Sequence, residues 1–231
     1  MDSIFTQVPG LPDIELVDYY EEFLWYYPTC EMEAKRWCAE NIKPDWTVLD
    51  VGANIGYYSI LFSWLAKDGF VFSFEPTDTW SKLENNLRHH NLPNVEALRL
   101  GIGKQSGRFV DSIFKIWGQN AERLEVDFYS IDDFVEQRRL GRVDLIKIDV
   151  DSFDLEALQG AERTLRTFDP YVLVELNHAL SRRNQSNAEA LHWLSKQGYG
   201  SVFCVDYDNF ILKKSAPVVS ESSVTVYFPE R

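Results

Sequence analysis

Five short apolar runs, at residues 47–51, 70–74, 95–100, 143–148 and 171–176, alternate with stretches of helical character. Nothing else in the chain restricts its fold so strongly. Runs this short, apolar at nearly every position, suit strands buried on both faces, the usual condition of a parallel sheet. The intervening stretches at 56–67, 77–91, 131–139 and 153–167 have the length of crossover helices. The pattern predicts an α/β fold with a doubly wound, mostly parallel sheet. Beyond it, a helix over 187–196 precedes apolar runs at 200–205, 209–212 and 224–228. The turn Asp206-Tyr207-Asp208-Asn209 joins the first two, so the sheet is expected to finish with antiparallel C-terminal strands. Residues 107–128 are less regular and read as an insertion carrying a short hairpin.

The segment 1–44 stands apart from this pattern. Tyr19, Tyr20, Phe23, Trp25, Tyr26 and Tyr27 crowd together without a regular period, and a helix is expected over 31–41, with Thr29 as N-cap and Pro44 beyond its end. The aromatic segment either packs across a domain face or forms a flap over a ligand cleft. The chain thus divides into an N-terminal segment and helix, 1–44, and a domain over 45–231.

Charge narrows the function. Thirty-six Asp and Glu against 23 Lys and Arg give a formal charge of −13, a field that repels phosphate backbones and argues against nucleic acid. Three cysteines without a CxxC pair suit a reducing compartment. The start has no basic-then-apolar signal, and no apolar stretch approaches the length of a membrane span. The expectation is a cytoplasmic protein; oligomeric state is not legible.

In open α/β sheets, ligands sit beyond the carboxyl ends of the strands. After the first run comes Asp50-Val51-Gly52-Ala53-Asn54-Ile55-Gly56-Tyr57. The glycines allow close backbone approach, and the following helix offers free N–H groups to an anion. No Gly-Lys-Ser/Thr follows, and Asn54 breaks the dinucleotide pattern, so neither a phosphate loop nor a nicotinamide dehydrogenase is favoured. Asp50 at the strand end suits a cation. The second run ends in Glu75-Pro76, with Glu75 19 residues after Gly56, near the spacing at which an acid receives ribose hydroxyls. A nucleoside carrying an amino acid is S-adenosylmethionine, and its sulfonium also suits an acidic cleft.

The motif from Val48 to Ser59 resembles the first motif of the FkbM family of methyltransferases. The likeness continues through Phe74-Glu75-Pro76, Asn85, Asn91, the run from Asp144 to Val150, Leu158-Gln159-Gly160-Ala161 and Val174-Glu175. It spans roughly residues 46–176. It implies a class I (Rossmann-like) methyltransferase fold using S-adenosyl-L-methionine, commonly on hydroxyls of sugars or natural products. Carried onto this chain, it implies that Asp50, Gly52, Asn54 and Gly56, with Ala53 and Tyr57 in the same motif, line the methionine part. Glu75, followed by Pro76, holds the ribose. Thr77 and the stretch Gly101-Ile102-Gly103 border the adenine, and Asp149 closes the cofactor side. One departure stands out: the family's acid-Gly-x-Glu after the fourth strand reads Asp151-Ser152-Phe153-Asp154 here.

Two anomalies mark the catalytic side. Lys147 lies inside a buried run and shares a face with Asp149, so it either pairs with that acid or reaches solvent from the strand end. Glu175 ends the fifth run and is followed by Asn177 and His178. His178 and Asp151 are the candidate bases for removing an alcohol proton. Asp149, Asp151, Glu175 and Asn177 are also hard oxygen donors that suit Mg²⁺, but no metal site is assigned. Tyr19, Tyr26, Tyr57 and Trp117 offer rings to sugar faces. The expected reaction is O-methylation of a sugar or glycoside. A small natural product or amine as acceptor, or a cofactor-binding module without turnover, are the alternatives.

Overall fold

The computed structural model describes residues 3–6, 8, 10–115 and 120–214. The chain opens with strands β1 (Ile4–Thr6) and β2 (Ile14–Leu16), paired antiparallel, then the short helix α1 (Phe23–Tyr26) and α2 (Met32–Asn41). The alternating region follows: β3 (Thr47–Val51), α3 (Tyr57–Leu65), β4 (Phe70–Phe74), α4 (Trp80–His89) and β5 (Val95–Leu98). A three-stranded insertion holds β6 (Gly101–Ile102), β7 (Gly107–Ile113) and β8 (Glu122–Tyr129). After α5 (Ile131–Arg138) come β9 (Leu145–Ile148), α6 (Asp154–Gln159), α7 (Glu162–Phe168), β10 (Tyr171–Glu175) and a 3₁₀ turn over His178–Arg183. Helix α8 (Asn187–Lys196) and strands β11 (Ser201–Val205) and β12 (Asn209–Lys213) complete the described chain.

The main sheet has the order β11-β12-β10-β9-β3-β4-β5. Strands β5, β4, β3, β9 and β10 are parallel, and β12 pairs antiparallel with both β10 and β11. This is the doubly wound sheet with an antiparallel finish that the apolar runs predicted. Alternation along the strands feeds two cores. Val48, Leu145 and Leu173 face the side covered by α2, α3 and the N-terminal hairpin, whereas Leu49, Ile146 and Val172 face α5 through α8. Strand order reverses between β3 and β9, so the cleft above their carboxyl ends is the topological switch point.

The structure corrects several local expectations. Thr29 is not the cap of α2; its hydroxyl turns back to the carbonyl of Trp25. The N-cap position is Glu31, and the free N–H groups of Glu33 and Ala34 are taken by Asp206 from the β11–β12 turn. The expected helix over 153–167 is two helices. The carbonyl of Gly160 is taken by the N–H of Asp132, while the Asp132 carboxylate accepts from the N–H groups of Arg163 and Thr164 and so starts α7 afresh. A Cβ on Gly160 would stand 2.1 Å from the carbonyl oxygen of Gly103, so only glycine lets the two segments meet. The strands β1 and β2 had no signal in sequence: each is three residues long. The strand expected over 224–228 lies outside the described residues. No described helix is long and apolar enough to cross a membrane.

Candidate functional site

A cavity of about 540 Å³ opens above the carboxyl ends of β3, β4, β9 and β10. One wall is the loop after β3, where Gly52, Asn54 and Gly56 all have positive φ. Gly52 is required for two reasons. Its φ is +82°, and a Cβ would fall 1.8 Å from the carbonyl oxygen of Asp149. The loop after β3 thus lies against the backbone at the end of β9, which places Gly52, Ala53 and Asn54 beside Asp149 on the cavity surface. Asn54 Oδ1 is buried with no hydrogen-bond partner among the described residues.

Glu75 and Pro76 line the cavity at the end of β4. One oxygen of Glu75 accepts from the N–H and the hydroxyl of Thr77 at 2.9 and 2.6 Å. Burial pushes its carboxyl up, against the pull of those bonds and of one from the Asn54 N–H. Thr77 itself is buried and spends its hydroxyl on Glu75, and it is not part of the wall. Gly101 and Ile102 are.

Asp50 does not point into the cleft as the motif suggested. It is the fourth residue of β3, in register with Ser73 and Lys147, and alternation turns it onto the α3 face of the sheet. There it is fully buried and accepts a 2.6 Å hydrogen bond from Ser59. Gly56 and Tyr57 are also displaced from the wall. Gly56 precedes α3 and packs on Leu83, and the Tyr57 ring stacks on Tyr27 at 5.3 Å.

The part of the cavity at the ends of β9 and β10 is acidic. Lys147 is 2% exposed, and its ammonium lies 3.0 Å from Asp149 Oδ2 and 4.6 Å from the ring centre of Tyr58. The buried pair is thus formed, and removing either partner would leave an uncompensated charge. Burial disfavours the Lys147 ammonium, but Asp149, Asp50 and Glu31 outweigh it and raise its pKa. Glu175 accepts a hydrogen bond from Asn177 at 3.1 Å; burial and the Asp149 charge push its carboxyl far up. Asp151 is pushed up to about 6, by burial and then by Asp149, while Asn177, Arg182 and His178 pull the other way. His178 is exposed at the rim, the first residue of the 3₁₀ turn. Among the described residues no group of three or more His, Cys, Asp or Glu could hold a metal ion.

The run Asp151-Ser152-Phe153-Asp154 is built as a tight corner. Asp151 and Ser152 have φ of 43° and 93°, so serine occupies the backbone conformation for which the family's glycine is suited. The buried Asp154 carboxylate holds the corner, accepting from the N–H groups of Val150 and Ser152 at 3.0 and 3.1 Å.

Three further walls were legible beforehand only in part or not at all. The first is the N-terminal segment, where Phe23, Tyr26, Tyr27 and Glu31 line the cavity. The second is the insertion, whose Phe128 stacks on Phe153 at 5.5 Å. Arg183 locks it, pairing with Asp111 of β7 and Glu156 of α6 while lying 3.8 Å from the Phe153 ring centre. The third is the β11–β12 turn, with Asp206 to Asn209. Of the rings proposed for stacking, Tyr26 lines the cavity, Tyr19 and Tyr57 do not, and Trp117 lies outside the described residues. Only the crowding of aromatics at 19–27 gave warning of the first wall.

The chain matches the model of the methyltransferase FkbM domain over residues 50–200. The hexuronic acid methyltransferase AglP of Haloferax volcanii is 31% identical over 155 residues, which cover 64% of this chain and 62% of that protein. Methyltransferase 1 of Beauveria bassiana is 25% identical over 159 residues, covering 56% of this chain and 64% of that one. The chain thus spans less than two thirds of the length of either relative. Among solved structures, a methyltransferase FkbM from Methylobacillus flagellatus superposes with a TM-score of 0.57 at 18% identity, over 77% of this chain and 46% of the other. Precorrin-6y C5,15-methyltransferase from Geobacter metallireducens gives 0.57 at 16% identity, over 90% and 100%. These likenesses show a class I methyltransferase fold.

Proposed function

The chain belongs to the FkbM methyltransferase family, and from that premise we propose that it transfers a methyl group from S-adenosylmethionine to a hydroxyl of a sugar or glycoside. The observation that carries this reading is the meeting of two kinds of lining in one cavity. A loop of left-handed residues with a buried acid forms one, and a carboxylate cluster with a rim histidine forms the other.

The residues suit that donor. The unpartnered Asn54 Oδ1 calls for a hydrogen-bond donor such as an ammonium. Glu75 keeps a second carboxylate oxygen for ribose hydroxyls, and Gly101 and Ile102 leave room for a flat base. When bound, S-adenosylmethionine supplies a methyl group on a sulfonium, open to in-line displacement. The chain's own residues align the acceptor and take its proton. His178 is the base of this proposal, with Asp151 stabilising the imidazolium, and Tyr26 offers a face to the sugar.

Charge supports a neutral acceptor. Both lysines of the wall are committed, Lys147 to Asp149 and Lys115 to Asp78 and Glu122. Among the described residues neither is left to receive a carboxylate on the sugar. A reducing, cytoplasmic setting belongs to the same proposal.

Calorimetric titration tests the donor: S-adenosylmethionine and its demethylated product should bind with micromolar affinity and NAD hardly at all. Labelled donor with a panel of neutral glycosides and glucuronides tests the acceptor. Transfer confined to glucuronides would overturn the neutral sugar, and tight NAD binding without response to either sulfur compound would overturn the donor. Glu75→Ala should weaken donor binding by about 1.5–3 kcal/mol with little effect on the saturated rate.

A further inference from the structure

Glu31 precedes the region matched by the family model, yet it lines the cavity together with Asp149, Asp151 and Glu175. It is buried and sits in the left-handed conformation at φ 52°, a costly backbone for glutamate that persists only where its surroundings enforce it. Asn209 anchors it, donating from Nδ2 to Glu31 Oε1 at 3.0 Å.

Four carboxyl groups line the cavity here: Glu31, Asp149, Asp151 and Glu175. Two buried ammonium groups oppose them. Lys147 pairs with Asp149, and Lys35 is held by the carbonyl of Tyr27 at 2.9 Å and the ring of Tyr57. Glu175 keeps its proton, because burial and the charge of Asp149 push its carboxyl far up. Of the two ammonium groups, only Lys147 lines the cavity, and among the described residues no lysine or arginine forms an ion pair with Glu31 or Asp151. Tyr58 is 5% exposed and lines the cavity against Lys147, and its hydroxyl is buried with no partner among the described residues. An orphaned hydroxyl beside carboxyl groups that lack a cation partner is a place prepared for a ligand with positive charge.

Resting on the donor assignment above, we propose that Glu31 completes a carboxylate cage that selects the sulfonium-bearing donor over its neutral demethylated product. The two compounds differ by one methyl group and one charge, so a cage of this kind discriminates by charge. Burial and Asp149 push the Glu31 carboxyl up, while Lys147, Asn209 and Lys35 hold it down. An arriving cation favours its ionised form.

Calorimetric titration of the unmodified chain with S-adenosylmethionine and S-adenosylhomocysteine reads the discrimination directly. The charged donor should bind about tenfold more tightly, the effect of a single unit of charge at intermediate dielectric after partial compensation. Glu31→Gln keeps an oxygen for Asn209 and removes only the charge. It should cost the donor about tenfold and the product less than about twofold. Equal affinities in the unmodified chain, or equal losses for both compounds in Glu31→Gln, would overturn the cage and leave Glu31 as an anchor. If neither compound binds the unmodified chain, the donor assignment fails, and the cage with it.

Discussion

The carboxylate of Asp206 accepts a 2.7 Å hydrogen bond from the backbone N–H of Ala34, 172 residues earlier in the chain. Its other oxygen accepts from Glu33. The turn between the last two described strands therefore caps the helix that carries Glu31 into the cavity, and Asn209 of the same turn holds the Glu31 side chain. Two flanks of the chain, both outside the matched family region, build one wall together.

Asp206→Ala should accordingly destabilise the fold by about 1 kcal/mol, the usual cost of losing a helix N-cap. Urea unfolding should show a lower midpoint at an unchanged slope. An unaltered midpoint would mean that water replaces the cap at no cost.

Ser152→Gly should stabilise the protein. The serine is buried at φ 93°, and relief of that backbone outweighs the entropy that glycine adds to the unfolded chain. A net gain of about 1 kcal/mol in urea unfolding is expected. A loss would show that the serine side chain contributes more than its backbone costs.

Stability should fall as pH rises from about 4 to about 7. Burial pushes the Asp154 carboxyl up to about 7, against the bonds from Val150 and its own backbone. The folded state therefore keeps a proton that the unfolded chain releases near pH 4. Asp151, pushed up to about 6, acts in the same direction. Unfolding midpoints measured across this window should decline in the unmodified chain and decline less in Asp154→Asn.

His178→Ala should lower turnover by roughly two to four orders of magnitude with donor affinity nearly intact. The rate should also fall as pH drops below about 6, where Asp151 takes up its proton. Asp151→Asn should lose the part of that limb that Asp151 carries. Near-normal turnover in His178→Ala would move the base to Asp151 or leave alignment alone to carry the reaction.

The apolar runs at 47–51 and 70–74 appear as strands with the same bounds, because a strand buried on both faces must be apolar at successive positions. Local chemistry also disclosed Gly52, Glu75 and the Lys147–Asp149 pair. A glycine between strand and helix, an acid beside a proline and a cation in an apolar run are each anomalous within a few residues. Asp50 shows where such reading ends. Its place at a strand end was legible, but which face it joined depended on the sheet's register with Lys147 and on Ser59 of the next helix. The caps of Asp132 on α7 and Asp206 on α2, the Arg183 link to Asp111 and the entry of Glu31 all join residues far apart in the chain. No local pattern encodes them, since an exposed loop acid and a capping acid have the same neighbours in sequence. Only the closing of the sheet, which brings residues 23–31 and 206–209 over the switch point, decides which acids become caps and which face the ligand.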